Sequence, residues 1–395
     1  MKANLLKAIA VTIIVTFSLS AKAQDEINAI TTAVPFLMIA PDSRSGAMGD
    51  IGVATSPDAN SQHWNAAKYP FMDHDFGFSV SYSPWLRSLV NDISLAYLSG
   101  YYKLNDKSAV SASLRYFSMG EIQFTDIVGN DIGKYKPNEF AIDAAYSRLL
   151  GDNFSGAVTL RYINSNLTSG QNVAGQQTQV GQSIAADVAV YYRKKMKVND
   201  TKMLMALGLN ISNIGSKISY SESLERDFIP TNFRLGGSLE VELDKYNSIT
   251  VAADINKLLV PTSPVYKLDS NENNIPDGDG FWEIEKGMDP RRSVGNAMFT
   301  SWYDAPNGFT EELQEFFIGG GVEYAYDKKF FVRGGYFYEH RNKGNRKYFT
   351  LGAGFAYNVF TLDFSYLIPT SQRNPMQNTL RFTLVFNFDA TAAEN

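Results

Sequence analysis

Phe349-Thr350-Leu351-Gly352-Ala353-Gly354-Phe355-Ala356-Tyr357-Asn358-Val359-Phe360-Thr361-Leu362-Asp363-Phe364-Ser365-Tyr366 is the stretch on which the fold turns. Phe349, Leu351, Ala353, Phe355 and Tyr357 alternate with Thr350, Gly352, Gly354 and Ala356. After the tight turn at Asn358-Val359, Phe360, Leu362, Phe364 and Tyr366 alternate with Thr361, Asp363 and Ser365. Successive side chains of a strand point to opposite faces, so each run is a strand with one apolar, aromatic face and one small or charged face. The last run repeats this, with Leu380, Phe382, Leu384, Phe386 and Phe388 against Thr379, Arg381, Thr383 and Asn387.

Working back toward the start, the same period-two pattern recurs in blocks beginning near Phe76, Ile93, Val110, Phe140, Val158, Ile184, Met203, Phe233, Ile249, Phe316 and Phe330. With the three runs above this gives fourteen candidate strands. The small or charged face carries mid-strand charges at Arg115, Asp143, Arg161, Asp187, Arg234, Glu240, Asp254, Glu323, Arg333, Asp363 and Arg381. In a soluble sandwich these would face water; in a transmembrane barrel they would line a polar lumen. Strands of ~9–11 residues, aromatic residues at strand ends and an even strand count favour the barrel. The charges comprise both signs, and pairing with one another across the lumen is the expected role, because an unpaired charge in a confined site is costly.

The N-terminus agrees. Lys2 and Lys7 precede an apolar run from Ile9 to Leu19 that ends in Ala21-Lys22-Ala23, the layout of a cleavable signal peptide. That run has 11 residues, short of the ~18–20 that span a hydrocarbon core as a helix. Cleavage is expected between Ala23 and Gln24, giving a signal peptide at 1–23, an N-terminal segment at 24–72, a barrel at 73–389 and a short tail at 390–395. The 24–72 segment does not alternate. Its Pro35-Phe36-Leu37-Met38-Ile39 run and Trp64 need burial, which favours a place inside the lumen. Between candidate strands the breaks are either short or long, as expected of periplasmic turns and outer loops, and the longest, 257–313, is long enough to carry structure of its own.

Composition narrows the chemistry. The chain has no cysteine, hence no disulfide, thiolate metal site or cysteine nucleophile. Its formal charge of −5 becomes −8 once Lys2, Lys7 and Lys22 leave with the signal peptide, so a nucleic-acid partner lacks its basic footprint. His63, His74 and His340 stand apart from one another and have no metal-ligand spacing. Gly129-Asn130-Asp131-Ile132-Gly133-Lys134 has too few intervening residues for a phosphate loop and is followed by Tyr135. Gly319-Gly320-Gly321 and Gly352-x-Gly354 lie inside strands, where glycine lets a neighbouring chain approach. No cofactor is expected, and the one metal candidate is a calcium loop at Asp269, Asn271, Asn273, Asp277 and Asp279, whose oxygens recur at alternate positions. It lacks the turn glycine and the final acid of an EF-hand. The other expectation there is a solvated Asn/Asp turn.

One stretch carries a family resemblance. Ala40-Pro41-Asp42-Ser43-Arg44-Ser45-Gly46-Ala47-Met48-Gly49-Asp50-Ile51-Gly52-Val53-Ala54-Thr55 and Asp58-Ala59-Asn60-Ser61-Gln62-His63-Trp64-Asn65-Ala66-Ala67-Lys68 resemble the N-terminal segment of FadL-like outer-membrane barrels. Within that group they are most similar to the PorV family of the type IX secretion system of Bacteroidetes. Asn65-Ala66-Ala67 departs from the Asn-Pro-Ala of transporters of hydrophobic compounds, which weakens the inference of fatty-acid transport.

The resemblance implies an integral outer-membrane protein, in contact with membrane lipid, whose N-terminal segment enters the lumen. It implies a non-enzymatic shuttle that takes cargo from a large translocon barrel through the cargo's C-terminal signal domain, and passes it to a surface attachment complex with a sortase-like peptidase. In that setting Trp282, Trp302 and Tyr303 of the long loop are the candidate partner anchors, or alternatively hold the loop to the barrel rim. The alternative function is passive transport of a hydrophobic small molecule. A surface enzyme ranks last, for want of a clustered nucleophile and base.

Overall fold

The structure is a computed structural model that describes residues 27–389, apart from 88, 89, 91, 126, 127, 169–171, 174, 175, 222–225, 279, 372 and 373. The signal peptide, its Ala23/Gln24 cleavage site and the 390–395 tail lie outside the described residues. The alternating runs form fourteen antiparallel strands in one closed barrel. They are β1 (Phe76–Pro84), β2 (Ile93–Asn105), β3 (Ser108–Met119), β4 (Asn138–Gly151), β5 (Phe154–Asn166), β6 (Gly181–Val198) and β7 (Thr201–Gly215). Then come β8 (Asn232–Glu242), β9 (Asn247–Leu258), β10 (Phe317–Tyr326), β11 (Phe330–Tyr338), β12 (Lys347–Tyr357), β13 (Phe360–Pro369) and β14 (Leu380–Phe388). Each strand pairs with its sequence neighbour, and β1 closes on β14 from Phe76↔Phe388 to Tyr82↔Phe382. Closure leaves no unpaired edge, as a strand protein in lipid requires.

The two faces separate cleanly. On β1, Phe78, Val80 and Tyr82 are exposed on the outside, while Ser79, Ser81 and Ser83 are buried on the inside. The outward side chains of the other strands, among them Leu98, Leu114, Ile142, Val188, Val251, Val322, Leu351 and Leu362, continue an exposed apolar belt. No described helix is long and apolar enough to cross a membrane.

At one end of the barrel the strands join by tight turns. Asn199 and Asp200, and again Asp327 and Lys328, both have positive φ, the left-handed pair that matches strand twist in a two-residue hairpin. At the other end the connections are long, and they carry small hairpins at Ile122–Thr125 with Asp131–Tyr135 and at Val265–Tyr266 with Ile284–Lys286. The longest connection starts and ends later than its sequence suggests, running over 259–316. Lys257 lies within β9 opposite Phe233 instead of opening the loop, and β10 begins only at Phe317.

The N-terminal segment runs through the barrel. It contains two short helices, α1 (Ser43–Ala47) and α2 (Ser61–Trp64), and single 3₁₀ turns at Pro35–Met38 and Ala66–Phe71. Asn28 bonds at the long-loop end, donating its main-chain N–H to Asn342 O at 2.9 Å. At the other end Arg193 donates to Phe71 O at 3.3 Å and Lys103 to Met72 O at 3.1 Å, near the tight turns. Between these ends the segment meets the inner face on every side. Its backbone is so close to the wall that a Cβ at Gly321 would stand 2.5 Å from Met48 O, and one at Gly335 would overlap the Met48 main chain. A Gly335→Val variant is therefore expected to keep the barrel but unseat the segment. The check is a loss of about 1–3 kcal/mol in urea unfolding, with new proteinase K cleavage within 34–72 of the folded protein.

Candidate functional site: a filled lumen beneath a long-loop crown

The lumen segment has few helical turns, so its main-chain groups look to the wall for partners. Ser99 on β2 donates to Ala59 O at 2.8 Å, Asn210 on β7 to Trp64 O at 3.0 Å, and Ser238 on β8 to Ala54 O at 2.7 Å. Asp254 on β9 accepts from Gly52 N at 2.7 Å and Val53 N at 3.0 Å. Thr350 on β12 receives Gly49 N at 2.9 Å, and Thr383 on β14 receives Ser43 N at 2.8 Å. These partners surround the segment completely.

The charged side chains divide into two sets. Arg161 lies 3.0 Å from Asp143 and 2.9 Å from Asp187, and Arg333 lies 2.6 Å from Glu323 and 2.5 Å from Asp363, so these pair between strands. Arg44 of α1 joins the second group, 3.2 Å from Glu323 and 3.0 Å from Asp58. The other set serves the lumen segment instead of pairing across the wall. Arg115 donates to Leu37 O at 2.8 Å and to His63 Nδ1 at 2.6 Å, Arg234 lies over the Trp64 ring at 4.6 Å, and Arg381 is 3.3 Å from Asp50. Asp254 takes main-chain N–H groups, as above. A guanidinium can only donate, so His63 must accept through Nδ1 and be neutral; burial, then the nearby Arg115, holds its pKa well below the usual histidine range.

Glu240 is half-buried and borders a cavity of about 740 Å³ at the tight-turn end, lined also by Arg44, Asp58, Lys195, Lys328 and Glu323. That vestibule is mixed in character, with Phe71, Met72, Met203 and Phe331 on its lining beside the charges. Of the other histidines, His74 lies 2.9 Å from Asp389 and His340 Nδ1 accepts from Asn342 N at 3.3 Å.

Above the lumen, the 259–316 connection forms a crown. Its first half is an arm from Pro264 to Gly287, tied by Lys267 N to Glu283 O, Ile275 N to Lys267 O and Glu283 N to Ile275 O, and by a Lys267–Glu283 pair at 2.9 Å. Leu268 and Trp282 are exposed on it. The carboxylate of Asp269 accepts from Asn271 N at 2.8 Å and Asn273 N at 2.9 Å, and these main-chain bonds hold its pKa below the usual range. Asp277 accepts from Phe281 N at 3.0 Å. The loop read as a calcium candidate thus turns Asp269 and Asp277 onto its own backbone, an Asx-type turn, and Asp279 lies outside the described residues.

The acidic oxygens that converge within 4.8 Å among the described residues belong to Asp304, Glu312 and Glu315 in the second half of the connection. Lys257 is 3.0 Å from Glu312 and 2.5 Å from Glu315, Lys343 is 2.6 Å from Glu311 and 3.0 Å from Glu315, and Arg292 is 3.0 Å from Asp304. Sequence reading missed this cluster. Its acids lie close together but its cations come from β9, the connection itself and the 339–346 turn. Trp302 packs edge-on against Phe233 at 5.3 Å and near Phe316 at 6.2 Å, holding the connection to the barrel rim, and Tyr303 beside it is exposed.

Residues 21–265 match the family model of the type IX secretion system protein PorV. The chain belongs to the PorV family. Membership makes it an outer-membrane β-barrel component of that secretion system. No curated protein matches the chain. Among solved structures it is similar to the toluene transporter TbuX of Ralstonia pickettii, at 11% identity and TM-score 0.45 over 89% of this chain and 100% of that one. It is also similar to a FadL homologue of Pseudomonas aeruginosa, at 10% identity and TM-score 0.43 over 89% and 99%.

Within the PorV-family lumen, Asp42 caps α1 and is fully buried, accepting from Ser45 N at 2.9 Å and Trp64 Nε1 at 2.7 Å. Burial, reinforced by Asp58, raises its pKa to about 6. A carboxyl whose pKa is higher folded than unfolded favours the folded state below its unfolded pKa, and that contribution is lost as pH rises through about 6. Asp42→Asn keeps an acceptor without the charge. Relative to the parent, its urea stability in detergent is expected to improve from pH 4 to pH 7, by at most about 3 kcal/mol; a difference that stays flat with pH would contradict the assignment.

Proposed function

We propose that this PorV-family chain receives exported cargo through its crown at the cell surface, and that its barrel serves as scaffold and membrane anchor instead of conduit. The observation that carries this reading is the filled lumen. Asp254, Thr350, Thr383, Ser99, Asn210 and Ser238 clamp the 42–67 backbone from all sides, and the large structured surface left at the long-loop end is the 259–316 crown. The cargo feature engaged is its C-terminal signal domain. An exposed Trp282, with Leu268 also exposed on the same arm, is the kind of aromatic anchor that dominates such interfaces, backed by polar loop residues. Trp302, packed on the rim, holds the base of the crown in place.

The remaining partners follow from the same reading. The cargo arrives from a large translocon barrel that meets this one in the membrane, and leaves for a surface attachment complex with a sortase-like peptidase.

The second reading, passive uptake of a hydrophobic small molecule, is favoured by the 740 Å³ vestibule, whose lining mixes Arg44, Asp58, Glu240 and Lys328 with Phe71, Met72, Met203 and Phe331, whereas the segment held inside the barrel favours the first. One experiment separates the two. Replacing Lys267–Glu283 with a short linker leaves the barrel intact, and the mature protein is then tested for binding to a purified cargo C-terminal domain by biolayer interferometry. At least a tenfold loss of affinity is expected. Unchanged affinity, with fatty acid or lipid copurifying in the lumen of the parent protein, would move the assignment to the transporter.

A further inference from the structure

The second half of the crown is built inside out. In α4 (Phe309–Gln314), Phe309 and Leu313 are four residues apart and so share one face, and they are 75% and 55% exposed. Glu311, Glu312 and the following Glu315 are buried on the other side, where they hold Lys257 and Lys343. A helix at a water-facing surface shows the reverse pattern, acids out and apolar residues in. The preceding helix, α3 (Val294–Thr300), adds Phe299 at 77% exposure, and Tyr303 follows at 60%.

The position of this segment explains the inversion. On β9, Val251, Ala253 and Ile255 face outward, and Lys257 continues that parity directly opposite Phe233 of β8. Val251 and Ile255 are exposed members of the apolar belt, yet Lys257 is 0% exposed. It is covered by Glu312 and Glu315, with its ammonium 5.9 Å from the Trp302 ring and 5.4 Å from the Phe316 ring. Trp302 in turn packs on Phe233, also outward-facing. The segment from Trp302 to Phe316 therefore lies against the outside of the wall at the long-loop end on its Lys257 and Phe233 side, while Glu311 accepts from Asn28 Nδ2 at 2.9 Å on its inner side. Its exposed side chains continue the belt of Leu235, Ile255 and Ile318 on the same strands.

We propose that residues 294–316 form a shoulder seated in the outer leaflet of the membrane, with Phe299, Tyr303, Phe309 and Leu313 in contact with lipid acyl chains. Lys257 and its glutamates are the internal ion cluster that makes this possible, since a lysine on the lipid side of the wall has to be neutralised by protein. The shoulder fixes the rim beneath the arm, and its lipid contact is independent of what the arm binds.

The absence of cysteine makes the test direct. Single-cysteine variants at Phe309 and Leu313 are labelled with an environment-sensitive nitrobenzoxadiazole dye in the full mature chain and reconstituted into phosphatidylcholine vesicles. Val251→Cys on the belt and Ser270→Cys on the arm are the lipid and water references, and both report whether the barrel has folded. Quenching by lipid carrying a nitroxide high on its acyl chain is expected at 309 and 313 to approach that at 251, with blue-shifted emission. If either position is quenched no more than 270, the shoulder faces water or a protein partner and the proposal fails.

Discussion

A chain segment with little helix cannot be enclosed in a closed wall unless its main-chain groups find partners, and that requirement shapes this molecule. Residues 42–67 offer N–H and C=O groups in all directions, and the inner face answers with serine, threonine, asparagine and aspartate at matching heights. The small side chains on that face, glycine above all at 321 and 335, follow from the same enclosure, because the two backbones lie nearly in contact. The outer face is free of this constraint and answers only to lipid. The alternation that makes the strands legible is thus the record of two different solvents, one of them protein.

This accounts for what sequence could and could not reveal. The strands from Phe349 to Tyr366 read correctly because each residue's neighbours two positions away share its environment, a local signal. The partners of Arg115, Arg234 and Arg381 were not legible as such. Each is a main-chain carbonyl, a ring or an acid in a segment far away in sequence that carries no period of its own. Arg161 with Asp143 and Asp187 was more accessible, since adjacent strands in register bring those heights together. The glutamates of α4 gave no signal for the opposite reason, as acids in a long connection ordinarily mean water, and only the outward parity of Lys257 places them against the wall.

The family places this barrel in a secretion system, and the physical arrangement gives that placement content. With the N-terminal segment bonded from Asn28 at one end to Met72 at the other, the described residues offer partners several surfaces. Those surfaces differ in kind: an arm standing in water, a shoulder against the wall, and a vestibule of mixed lining at the tight-turn end. Such a division suits the role proposed above, the holding and release of exported cargo at a membrane.

The course of the N-terminal segment also has a kinetic meaning. It descends from the long-loop end to the tight-turn end before β1 begins, and β1 is the strand that meets β14. The last strand made therefore completes a ring around a segment made first. Once the β1–β14 seam is zipped, the enclosed chain can leave only lengthwise, and only after its bonds to the wall along 42–67 have broken together. Its exchange with the surroundings is therefore set by that concerted loss of contacts, which a single side chain such as one placed at 335 can loosen without opening the barrel.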